Sequence, residues 1–87
     1  MIRVQIPTPL RSYTSGEKRV DADGSTLDEL LVDLDRRFPG IRFRVVDEQG
    51  RLRQHMRIFV NREIEDDLRR PLHGVDEVVL MQALSGG

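Results

Sequence analysis

Eighty-seven residues are enough for one hydrophobic core but too few for the paired lobes that usually enclose a deep active site. With 38% hydrophobic and 33% charged residues at a formal net charge of −1, the composition is that of a compact domain, and bulk charge gives no reason to expect nucleic-acid binding. Zero cysteines exclude disulfides, a thiolate nucleophile and cysteine-held metals. The chain shows neither a charged-then-apolar leader nor an apolar run approaching the roughly 20 residues a bilayer requires, so a cytoplasmic protein with no membrane partner is expected.

Ile2, Val4 and Ile6 alternate with Arg3 and Gln5, the period-two pattern of a half-buried strand, and Pro7 and Pro9 end it. Turn formers fill 12–16, alternation resumes over 18–22 with Val20 and Ala22 on one side, and residues 1–22 therefore read as a hairpin. After the breaker Asp23-Gly24-Ser25, the stretch Thr26-Leu27-Asp28-Glu29 has the form of a capping box, whose hydroxyl and carboxylate satisfy helix-start amides. Leu27, Leu30, Leu31, Leu34 and Phe38 then recur at three- and four-residue steps as one apolar stripe. Acids precede bases along this helix, as its dipole favours, and Pro39-Gly40 stops it after about 12 residues.

Residues 41–46 fit either a short helix or extended chain, and 47–50 form a turn. Residues 57–61 are a strand that places Ile58 and Val60 on one face and Phe59 on the other, before a turn at Asn61-Arg62. Ile64 begins another short strand, Leu68 and Leu72 make core contacts in an irregular segment, and His73-Gly74 turns into the last strand. There Val78 and Leu80 face inward, while Val79 and Met81 face outward. If the last two long strands are neighbours, Phe59, Val79 and Met81 form an exposed apolar docking patch. The element order implies an α+β domain, one main helix packed across a mixed sheet, with a monomer expected because so small a patch does not sustain a permanent dimer.

The sequence closes on Leu84, Ser85, Gly86 and Gly87 directly after that strand. A carboxylate at the end of a short, side-chain-poor arm is a group that another enzyme can reach, activate and load. Over residues 83–87 an extended chain reaches roughly 16 Å, enough to enter a foreign active site while the globule stays outside. Other constellations carry less. His55 and His73 lie in no triad or metal spacing. The Asp21-Ala22-Asp23-Gly24 stretch lacks a calcium loop's closing Glu, since Val32 stands at the twelfth position. Gly16, Gly24, Gly40 and Gly50 are too scattered to cradle phosphate, and the acidic run Glu63, Glu65, Asp66 and Asp67 reads as a solvated loop.

The hairpin, the TLDEL helix start, the IFVN strand and the Gly-Gly end together resemble the MoaD/ThiS family of small ubiquitin-like sulfur carriers. More narrowly, IPTPLR, GSTLDELLVDLDRRFPGI and DEVVLMQALSGG resemble the actinobacterial carriers of the cysteine-synthase branch. The resemblance spans essentially the whole chain. It implies a ubiquitin-like β-grasp fold over 1–87, with a flexible tail over 83–87. It also implies that an E1-like adenylyltransferase/sulfurtransferase uses ATP and Mg to adenylate Gly87, that sulfur replaces AMP to give a thiocarboxylate, and that a sulfur-accepting synthase receives it. The carrier itself then binds no cofactor and is a co-substrate, not an enzyme. Two departures stand out: Gln82-Ala83 occupies the tail base where many relatives have proline, and His73-Gly74-Val75-Asp76 shifts a turn glycine by one position. The alternatives are the small subunit of molybdopterin synthase, a modifier conjugated through Gly87, and an interaction module whose tail is inert.

Overall fold

The computed structural model describes residues 1–83. Strand β1, Ile2–Gln5, pairs antiparallel with β2, Arg19–Ala22, with Val4 opposite Val20 and Ile2 opposite Ala22, so the two inner faces coincide. The hairpin expectation holds for the strands but not for their connection. Thr8–Thr14 winds into a 3₁₀ segment with Pro9 in its first turn, where a missing N–H costs nothing. Thr14 is buried there, its hydroxyl shared between the carbonyls of Glu17 at 2.8 Å and Arg11 at 3.2 Å.

Helix α1, Leu27–Arg37, buries Leu27, Leu30, Leu31 and Leu34, the stripe read from the sequence, while Phe38 sits half-buried at its C-terminal cap. Its start is more heavily satisfied than a capping box alone provides. Thr26 Oγ1 accepts from Glu29 N at 3.2 Å, and Glu29 reaches past Thr26 to accept from Ser25 N at 2.9 Å. The amides of Leu27 and Asp28 donate to the carbonyls of Arg70 and Leu68, at 2.9 and 2.8 Å, which ties the irregular 66–72 segment to the helix. After the Pro39-Gly40 stop, Ile41–Val45 forms the short helix α2, resolving the ambiguity of that stretch. Asp35 welds the junction by accepting from Gly40 N and Arg42 N, both at 3.0 Å. Periodicity over so few residues does not separate helix from strand; a carboxylate from the preceding helix does.

Strands β3, Met56–Val60, β4, Glu63–Glu65, and β5, Glu77–Gln82, complete a five-stranded sheet of order β2-β1-β5-β3-β4. Among the described residues only β1 and β5 run parallel. The inward residues Val4, Met56, Ile58, Val60, Val78 and Leu80 meet the leucines of α1 in one core, joined by Ile41, Val45, Val46 and Leu72, with Leu68 packed against its margin. One helix across a mixed sheet with a parallel central pair is the ubiquitin-like β-grasp architecture that the sequence implied.

Candidate functional site

Strand β5 lies in the middle of the sheet, with Val78 between Val4 of β1 and Val60 of β3. The chain is therefore delivered to its closing residues from a strand paired on both sides. The ladder continues to Gln82, opposite Met56, and one step further, because Ala83 N donates to His55 O at 2.7 Å. Ala83, assigned to the tail on sequence grounds, is thus still tied to the sheet. Leu84, Ser85, Gly86 and Gly87 lie outside the described residues.

On the face away from α1, the register places Val79 directly opposite Phe59, and Met81 opposite Arg57. Phe59 and Val79 are half-buried, while Met81 is 47% exposed. The three patch residues thus share one surface, as period-two alternation in two adjacent strands requires. A fourth member was missed: Ile64, opposite Phe59 and 64% exposed, extends the row onto β4. The signal was present, since a two-residue turn at Asn61-Arg62 fixes Ile64 across from Phe59. Gln5 of β1 flanks Val79 on the other side and gives the row a polar end.

At the end of β5, between that strand and the 3₁₀ segment, lies an open groove of about 660 Å³ whose walls include Pro7, Pro9, Arg11, His55, Met81 and Ala83. The carboxyls held below their usual range lie elsewhere and serve the frame. The Asp23 amide, followed by the guanidiniums of Arg36 and Arg37, depresses Asp33. The Arg51 amide does the same for Asp47, the Arg70 guanidinium for Glu65 and the Arg69 guanidinium for Asp67. Among the described residues, no group of three or more His, Asp and Glu is placed to hold a metal ion, and no helix is long and apolar enough to cross a membrane. The site is thus a central strand running toward the last four residues, flanked by an apolar row.

The sequence matches the ThiS family over residues 4–87. The chain belongs to the ThiS family. Among ThiS-family relatives, it is 35% identical over 91 residues to the sulfur carrier protein CysO of Mycobacterium tuberculosis, covering 99% of this chain and 98% of that one. The structure is similar to the Amycolatopsis orientalis BexX/CysO complex, at a TM-score of 0.90 and 34% identity with both chains covered fully. It also resembles Mycobacterium tuberculosis CysO, at 0.89 and 34% over 97% of this chain and 100% of that one. Small archaeal modifier protein 1 of Haloferax volcanii matches at 0.77 and 28% identity, over 99% and 98% of the two chains. The β-grasp sheet described above is therefore a ThiS-family frame.

Proposed function

We propose that this chain is a cytoplasmic sulfur carrier protein that serves cysteine or another small-metabolite biosynthesis as a co-substrate of partner enzymes. Its likeness to the CysO carriers over essentially its whole length is the observation that carries this reading. The chemistry at Gly87 is the one this likeness implies. An E1-like partner holding ATP and Mg lets the Gly87 carboxylate attack the α-phosphate, expelling pyrophosphate and forming a mixed anhydride. A sulfur nucleophile then adds to that carbonyl and AMP leaves with the bonding electrons. The resulting thiocarboxylate is delivered to a sulfur-accepting synthase. Absent side chains at Gly86 and Gly87, and the small Ser85, suit a narrow channel, and Leu84 joins this arm to Ala83.

Phe59, Val79 and Met81, with Ile64, form the docking row on the globule, and the unpartnered chain is a monomer. On this reading nucleotide and metal belong to the partner, and the positive φ of Gly16, Gly40 and Gly50 in separate turns supports that division. Intact-mass analysis after incubation with an activating enzyme, ATP, Mg and a sulfur donor tests the proposal. An oxygen-to-sulfur mass increase on the peptide ending at Gly87 is expected; its absence with a demonstrably active enzyme refutes it. The likeness to the archaeal modifier supports a second reading, conjugation through Gly87 to lysines, which Gly-Gly remnants on lysine side chains would reveal.

A further inference from the structure

The ion pairs of the described residues engage Arg3, Arg36, Arg37, Arg42, Arg69 and Arg70. Around the end of β5 the arginines behave differently. Arg11 Nε donates to Ile6 O at 3.0 Å, and Arg53 Nε donates to Phe43 O at 2.7 Å with its guanidinium carbon 4.6 Å from the Phe43 ring centre. Arg57 Nη1 donates to the carbonyls of Gln54 and Met56, at 2.7 and 2.8 Å. Arg44 shares a second groove with Arg53, His55 and Gln82. Neither that groove nor the one beside the 3₁₀ segment has a carboxylate in its wall, whereas a third groove, shared by Arg53 and Arg57 on the β4 side, includes Glu65 and Asp66.

Backbone carbonyls and an aromatic face fix the direction of a guanidinium without cancelling its charge, whereas a carboxylate does both. Among the described residues, Arg11, Arg44, Arg53 and Arg57 have no carboxylate within ion-pair distance, and all four surround the strand end from which the closing residues leave. Lys18, Arg19, Arg51 and Arg62 also stand outside the ion pairs of the described residues but are spread over other segments, whereas Arg11, Arg44, Arg53 and Arg57 share one strand end.

We propose that these four arginines form a cationic collar at the tail exit, which docks onto a rim of aspartates and glutamates around the pocket of the protein partner that takes up the tail. The identity of that partner rests on the carrier reading; the charge selectivity of the collar does not. Facing charges at a rim accelerate encounter and set orientation, and they do so more strongly at low salt. The collar therefore aims the tail, while the apolar row on the outer face supplies contact area.

The test titrates the isotope-labelled full chain with a hexaglutamate peptide at low ionic strength and follows its amide resonances. Shifts concentrated at Arg11, Arg44, Arg53, Arg57, Gln82 and Ala83, abolished by added salt, are expected. In the variant Arg44→Gln/Arg53→Gln the peptide binds about ten-fold more weakly, as does Arg11→Gln/Arg57→Gln, which leaves the Phe43 stack intact. Shifts spread equally over Arg19, Arg36 and Arg62, or none at all, overturn the proposal. Tighter binding of a single-stranded oligonucleotide of equal charge to the same residues also overturns it, in favour of a nucleic-acid surface. Thiocarboxylation, read separately by mass, distinguishes the two ideas. A chain that is loaded with sulfur yet ignores hexaglutamate refutes the collar alone, and one that binds the peptide at the collar but is never loaded refutes the carrier reading alone.

Discussion

Asn61 and Arg62 both take left-handed backbone, at φ 45° and 74°, to fold β4 directly back onto β3. Asn61 suits this position and its side chain adds to it, because its Oδ1 accepts from Asp76 N and Glu77 N, both at 3.1 Å, pinning the turn to the start of β5. Arg62 gains no such compensation, and Gly is the preferred second residue of such a turn. Arg62→Gly is therefore expected to stabilise the fold by up to about 1 kcal/mol in urea unfolding, the relief of left-handed strain exceeding the entropic cost of glycine. Gly24 is the opposite case. A Cβ there would collide with the backbone of Glu29 and Leu30, so Gly24→Ala should force the 23–25 link away from α1 and cost about 1–3 kcal/mol by the same measurement. At Asp33 the depressed carboxyl makes stability depend on pH. Its folded value lies below the ordinary 3.8, so the contribution is complete above that pH and is lost as the solution is acidified below it. Asp33→Asn should lower stability at neutral pH and flatten this acid limb, which circular-dichroism melts across the acid range will show.

At the scale of elements, α1 was readable because each of its signals is local: a cap, a dipole-ordered set of charges, a stripe and a stop. The leucines of that stripe are fully buried, so Leu34→Ala should cost about 2–5 kcal/mol. Leu31→Asp, which buries an unpaired carboxylate, should abolish the cooperative melt. The less legible elements depend on distant groups. The 3₁₀ segment follows two prolines that equally well signal the end of a strand, and it is secured by packing of Leu10 and by the buried Thr14. The short α2 needs Asp35 to hold its first turn, and a window confined to 41–46 does not contain that residue. Strand β4 was visible only as Ile64, because three residues carry too little alternation to mark a strand.

For the whole molecule, the order β2-β1-β5-β3-β4 places the C-terminal strand at the centre and the apolar row beside it. The outer-face residues contribute little to the core, so substituting them tests the proposed docking separately from folding. Met81→Asp and Ile64→Asp, the two most exposed members, should leave stability within about 0.5 kcal/mol while reducing thiocarboxylation by the activating partner at least about ten-fold. An unchanged loading rate would remove the outer face from the docking site. Removing Gly86 and Gly87 should leave the melt unchanged and eliminate loading, because the core of the described residues is built from positions between Ile2 and Leu80.

The sequence by itself determined the main helix, the inner and outer faces of the long strands, and the family to which the chain belongs. Each is written in short-range periodicity or in motifs of a few adjacent residues. Only the tertiary structure decided that Ile64 completes the apolar row, that Ala83 remains bonded to the sheet, and that unneutralised arginines from separate segments gather at one end of β5. Those facts depend on which strands become neighbours and in what register, and that choice is made by burying one shared core, to which residues far apart in the chain contribute together.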